Sequence, residues 1–254
     1  MIPNPTQRFT GRVDAYRRYR PTYPPAVVDL LTRECGLTVD AQVADVAAGT
    51  GLLTEIFLAA GFPVTAVEPN EEMRAACAAL QAEYPKLEIV DGTAESTGLS
   101  AHSIDLITVA QAMHWFDLDR TRTEFVRILK PGGWCVVAYN NRRQSGDPFH
   151  DAYERFLLDY GTDYGAVKQQ HVGRKRLAQF FAPAAMQCAT ILNPQLLTLE
   201  ALEGRVLSSS YSPQPGHPRF EAMRIALAQL FAETQENGVV TLHHDCVVCW
   251  GRLH

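Results

Sequence analysis

The chain has 254 residues, a formal net charge of −5 and an apolar fraction of 46%. That length holds one large α/β domain, or a core with a modest insertion, and either buries an ample interior. A mildly acidic chain lacks the electrostatic footprint of general nucleic-acid binding, which disfavours polynucleotide substrates, and no apolar run approaches the length of a membrane span. Met1 to Thr10 mixes prolines with polar residues around no apolar centre, so no secretory signal is expected and the expected compartment is the cytosol.

In chain order, an aromatic and arginine-rich segment, Arg8 to Tyr23, precedes an apolar stretch from Pro25 to Glu34 that predicts a helix. Gln42 to Val46 reads as a buried strand, Ala47 to Gly51 as a run of small residues where a ligand can approach the backbone, and Leu52 to Ala59 as a helix. Val64 to Val67 is a second apolar strand with Glu68 at its C-terminal end. Open α/β sheets bind ligands at that end, where a carboxylate can accept hydrogen bonds from both hydroxyls of a ribose. A dinucleotide would prefer G-x-G-x-x-G facing its pyrophosphate, but Gly49-Thr50-Gly51 is followed by Leu52, Leu53 and Thr54, so the third glycine is missing. Asp45 on the approach would repel phosphate and suit an ammonium. S-adenosylmethionine carries that ammonium, a ribose with both hydroxyls and no phosphate.

From Gln42 to Asn141 strand and helix are expected to alternate five times, which predicts a parallel, doubly wound sheet. Ser145 to Pro148 interrupts the rhythm. Residues 149–182 read as helical and rich in Tyr and Phe, 186–198 as a strand, Leu199 to Ser210 as a helix, and Arg219 to Glu236 as another helix after a loop marked by Pro213, Pro215 and Pro218. Val239 to Trp250 is a long β-prone run that closes the chain.

Residues 44–54 resemble the first motif of class I S-adenosylmethionine-dependent methyltransferases, D/E-x-G-x-G-x-G, with Ala47 where the first glycine is usual. Val90 to Glu95 is similar to the family's adenine-binding corner, with Thr93 in place of the usual aspartate. Gln111 to Phe116 resembles the fourth-strand motif of a subgroup that includes enzymes acting on trans-aconitate, and Leu129 to Trp134 the turn before strand five. The likeness covers residues 8–142 well. It implies a Rossmann-like α/β fold with a seven-stranded sheet, helices on both faces and a helical lid inserted after strand five, Val239 to Trp250 supplying an antiparallel last strand. The implied layout is an N-terminal helical cap at 1–41, a cofactor core at 42–142, and a lid with the closing strands at 143–254.

The resemblance also implies roles. Asp45 would hold the methionine ammonium directly or through water, the backbone from Ala47 through Gly49 to Gly51 would pack against the methionine part, and Glu68 would bind the ribose. Pro69 and Met73 would flank the adenine, Thr93, Ala94 and Glu95 would form its corner, and Gln111 would approach the methionine end. The acceptor pocket would take Tyr16, Tyr19, Arg20, His114 and Trp115, with Tyr23, Phe149, Tyr153, Phe156 and Tyr211 as further candidates that could equally be core. His114 is the one obvious candidate base for a hydroxyl acceptor, against a packing role beside Trp115. A carboxylate acceptor needs no base and would instead want Arg17, Arg18 or Arg20. A small-molecule O-methyltransferase, with a carboxylate among its acceptors, is therefore the expectation. Nucleic-acid or lipid methylation, and non-catalytic cofactor binding, are the alternatives.

Six cysteines are present. Cys35, Cys77, Cys135 and Cys188 are expected as free buried thiols. Cys246 and Cys249, beside His243, His244 and Asp245, have metal-ligand types, yet in a strand positions 246 and 249 face opposite ways, so a structural strand without metal is expected.

Overall fold

The computed structural model describes residues 13–165 and 173–253. The first part of the aromatic and arginine-rich segment, and 166–172 of the predicted helical stretch, lie outside the described residues. The chain runs α1 (Val13–Tyr19), α2 (Ala26–Cys35), β1 (Val43–Val46), α3 (Leu52–Ala59), β2 (Val64–Val67), α4 (Glu71–Ala78), β3 (Leu87–Val90), β4 (Ile104–Ala110), α5 (Leu118–Ile128), β5 (Leu129–Arg142), α6 (Pro148–Tyr160), α7 (Arg174–Phe181), β6 (Gln187–Leu192), β7 (Gln195–Leu197), α8 (Leu199–Leu207), α9 (Phe220–Thr234), β8 (Val240–Leu242) and β9 (His244–Gly251).

Seven strands form one sheet in the order β3-β2-β1-β4-β5-β9-β6. The first five are parallel, and β9 inserts antiparallel between β5 and β6. Because β1 alternates, its two faces feed two cores. Val43 packs with Val27, Leu31, Phe57 and Cys77 of α2, α3 and α4, whereas Ala44 and Val46 pack with Phe125, Ile128 and Phe180 of α5 and α7. A third apolar cluster lies outside this sandwich, joining Phe149, Tyr153, Phe156 and Leu157 of α6 to Leu202 and Val206 of α8, Met223 and Leu227 of α9, and Leu242 of β8. It is the body of the insertion, with β7 and β8 as its own two-stranded sheet.

Four sequence expectations change. No helix forms between β3 and β4; Gly92, Gly98 and the Thr93–Ser96 bridge instead make a turn-rich loop, so strand and helix alternate less often than expected. The turn expected at 129–134 lies inside β5 as an irregularity, with Ile104 opposite Leu129 but Leu106 opposite Trp134. The run 186–198 divides into β6 and β7 at Asn193-Pro194, where proline offers no N–H to a ladder. Val239 to Trp250 likewise divides, because the His243 N–H donates to His150 Nε2 at 3.0 Å rather than to a strand. Only its second half, β9, joins the large sheet.

Cys188 is not a free thiol. It stands opposite Cys249 in the β6–β9 ladder and is bonded to it as a disulfide. Cys246 lies buried among the residues of the opposite core. Asp245 pairs with Arg143 at 2.8 Å, and among the described residues no group of three His, Cys, Asp or Glu is arranged to hold a metal ion. No helix among them is long and apolar enough to cross a membrane.

Candidate functional site

The strand order reverses between β1 and β4, and the carboxyl ends of the strands there open on a cavity of about 730 Å³. Its first wall is the small-residue loop. Ala47 and Ala48 donate N–H bonds to Val67 O at 2.8 and 3.2 Å, which ties the loop to β2. Ala47 (φ 58), Gly49 (φ 59) and Gly51 (φ 87) are all left-handed. The two glycines serve different ends. A Cβ on Gly49 would meet nothing within 4 Å and so leave the cavity wall, whereas one on Gly51 would strike Leu80 and Cys77 at 2.8 and 2.9 Å. Gly51 lets α3 pack on α4 and does not line the cavity.

Glu68 is fixed before any ligand arrives. Its Oε2 accepts the Gly49 N–H and its Oε1 the Asn70 N–H, each at 2.8 Å, and burial, the largest influence, pushes its pKa up. Each oxygen keeps a lone pair for a hydroxyl donor. Asn70 caps α4 by accepting the Met73 N–H at 2.9 Å, and Arg74 holds Glu68 O and Pro69 O, so Pro69 and Met73 are carried to the cavity wall on a rigid corner. Thr93, Ala94 and Glu95 line the next stretch, and Glu95 Oε1 accepts the Asp117 N–H at 2.9 Å. Gln111 lines the far end with φ 57, its Nε2 donating to Asn140 O at 3.2 Å.

Asp45 is placed otherwise. It does not line the cavity. Its two carboxylate oxygens accept the Thr54 and Thr108 hydroxyls at 2.6 and 2.8 Å, joining β1 to α3 and β4, and burial pushes its pKa up to about 6 against those hydrogen bonds. The geometry gives it the work of holding the loop and a negative charge beneath it, not a direct contact.

The other side of the cavity is built from segments far apart in sequence. Asn140 and Asn193 side-chain amides donate to Thr22 O at 3.2 and 2.7 Å, strapping residues 21–23 across the end of β5. Tyr16, Arg20 and Tyr23 from this strap, and His114 and Trp115 after β4, all line the cavity, the last two rings 4.5 Å apart. Tyr19 does not. Its ring packs on Gly204, where a Cβ would come within 2.2 Å, and its hydroxyl donates to Glu200 at 3.2 Å. Arg17 donates to Thr50 O at 3.1 Å, and Arg18 lies over the Tyr19 ring, so neither reaches the cavity. Phe149, Tyr153 and Phe156 are core of the insertion, while Tyr211 lines the cavity. Sequence reading missed Arg142, Arg205 and Tyr164, which line it too. The one available signal was an arginine at position 205 in an otherwise apolar helical stripe, three residues after Leu202.

Residues 44–137 match the model of a methyltransferase-domain family. An uncharacterized methyltransferase of Mycobacterium tuberculosis is 40% identical over 134 residues, 53% of this chain and 52% of that protein, so the chain spans about half the length of the curated relatives it matches. Among solved structures, one described as a type II methyltransferase from Anaeromyxobacter dehalogenans aligns with TM-score 0.66 at 21% identity, covering 92% of this chain and 97% of that one. A phosphoethanolamine N-methyltransferase of Haemonchus contortus, solved with S-adenosylhomocysteine, aligns with TM-score 0.58 at 12% identity, covering 98% of this chain and 59% of the other. The glycine loop, Glu68 and strands β2, β3 and β4 fall inside the matched segment, and residues 44–137 are similar to a methyltransferase domain set on a sheet of 3-2-1-4-5 parallel order.

Proposed function

We propose that the chain transfers the methyl group of S-adenosylmethionine to an oxygen of a small, negatively charged acceptor. The observation that carries this reading is the cavity itself. One half is walled by the glycine loop, Glu68, Pro69 and Met73, and the other continues without a break to a wall bearing Arg20, Arg142 and Arg205. A volume of about 730 Å³ lies within the range of small-molecule sites.

On this reading Glu68 holds the ribose, Pro69 and Met73 flank the adenine, the 93–95 corner reads its edge, and the Gly49 and Gln111 surfaces receive the methionine part. Asp45 supports the loop electrostatically. Methyl transfer is an in-line displacement: the acceptor oxygen forms a bond to the methyl carbon as the carbon–sulfur bond breaks, and the electron pair stays on sulfur in S-adenosylhomocysteine. The protein therefore aligns the acceptor and excludes water, and the strap of residues 16–23 suits both tasks. A carboxylate oxygen is among the acceptors that fit, since it is already deprotonated and asks nothing of His114.

Purified protein is expected to bind S-adenosylhomocysteine at micromolar or tighter affinity, and Glu68→Ala to weaken it by about 1 to 3 kcal/mol through lost charge-assisted hydrogen bonds. Labelled cofactor screened against acceptors grouped by chemical class should mark a small anionic oxygen nucleophile. With a carboxylate acceptor, His114→Ala should change turnover only mildly and the rate should stay flat between about pH 6 and 8. Calorimetry showing no cofactor binding rejects the reading, and cofactor binding with no turnover of any class leaves a binding protein in its place.

A further inference from the structure

Arg205 is a charged residue in an apolar place. Only 7% of it is exposed, it sits on α8 beside the buried Leu202 and Val206, and it faces the cavity. Its Nη1 donates to Ser209 Oγ at 3.2 Å, while its Nε is buried with no partner. Arg20 arrives from the strap to the same hydroxyl at 3.4 Å, donates also to Ser208 O at 3.0 Å, and again leaves its Nε buried without a partner. Two guanidinium groups thus converge on one serine, and among the described residues no carboxylate pairs with either. Arg142 differs, since Glu154 and the Tyr164 hydroxyl answer its charge.

The neighbourhood registers the excess. Burial first, and then the Arg20 charge, lower the Arg205 pKa to about 10, so it stays cationic at neutral pH. The buried His244 is pushed down to about 3 by burial and then by Arg205 and Arg142. A like-charged pair of which one member is buried and the other half-buried is costly unless an anion completes it.

We infer that Arg205 and Arg20 form a subsite for an anionic group of the acceptor that is not itself methylated. A carboxylate held by two guanidinium groups has its lone pairs committed to charge-assisted hydrogen bonds and is a poor nucleophile. Esterifying it would also remove the countercharge and leave the buried Arg205 and the half-buried Arg20 facing a neutral product. An anchor that remains charged through the reaction meets neither difficulty. The acceptor class is therefore a small molecule with a retained anionic group and a separate nucleophilic oxygen, and Arg205 is a specificity-determining residue for it. This rests on the methyl-transfer reading above.

The test uses the full chain saturated with S-adenosylhomocysteine and a panel of probes, acetate, benzoate, succinate and glutarate, each against its amide. Calorimetry and the NMR signals of arginine Nε–H groups report binding. At least one carboxylate should bind tenfold or more tightly than its amide, with affinity falling as salt rises and the Arg205 and Arg20 signals shifting. Arg205→Gln should remove that preference and Arg205→Lys should keep part of it, both without change in S-adenosylhomocysteine affinity. Equal binding of carboxylates and amides, a preference that survives Arg205→Gln, or a natural product in which the methylated group was the only anion would each overturn the subsite. Failure of S-adenosylhomocysteine to bind at all would instead overturn the underlying cofactor assignment.

Discussion

Asp45 and Ala47 show how single residues set the terms of the loop. Asp45 titrates upward on folding, to about 6 from an ordinary value near 3.8, because burial outweighs its two threonine hydrogen bonds. A carboxyl raised on folding contributes stability that is fully present below the unfolded pKa and is lost as pH rises through the folded one. The stability of the wild type relative to Asp45→Asn should accordingly fall between about pH 4 and 6, by about 2 to 3 kcal/mol in all. Parallel urea curves for the two proteins across that range would exclude the burial account. Ala47 takes a left-handed φ of 58 at a cost of about 1 to 2 kcal/mol, offset by the bonds of the loop to Val67 O. That is why the motif tolerates alanine where glycine is usual. The small-residue loop and Glu68, which the structure brings to one wall of the cavity, were legible because the glycine spacing and the carboxylate after β2 are local in sequence. Arg205 was not, since an arginine in an apolar helical stripe more often extends its charged end to solvent, and only the fold shows that this one has none to reach.

At the level of elements, β1 and β2 were readable as short apolar runs between turn residues, and their expected limits hold to within a residue. The β3–β4 connection was not, because a stretch rich in Gly, Ser and Thr satisfies its backbone locally without a helix. Pairing across the sheet is also invisible along the chain, and this is why Cys188 was misread. Its partner lies 61 residues away, brought opposite by the β6–β9 register. Thiol titration of the protein unfolded without reductant should find four reactive cysteines, Cys35, Cys77, Cys135 and Cys246, and Cys188→Ser should expose a fifth and lower stability by about 2 to 4 kcal/mol. Six thiols in the oxidised wild type would contradict the bond.

At the scale of the whole molecule, the strap joins two sites that sequence keeps far apart. α1 has seven residues, none of them buried, and a helix of that length does not hold its shape alone. It is held by Arg17 to the small-residue loop at Thr50 O and, on the other side, by Tyr19 and Arg20 to α8 and its end, the ring of Tyr19 packing on Gly204 and Arg20 donating to Ser208 O. A segment ordered by two clients makes each client's ligand an effector of the other's, and the linkage is reciprocal. Anion binding by the S-adenosylhomocysteine complex should thus be several-fold tighter than by the free protein. Arg17→Ala should shrink that ratio toward one while leaving Arg20 and Arg205 in place; an undiminished ratio would refute the link. On the proposed function, such a linkage predicts an ordered device: the cofactor is expected to enter first and complete the receptor for the acceptor, so that the acceptor meets its binding wall only when a methyl group is already waiting behind it.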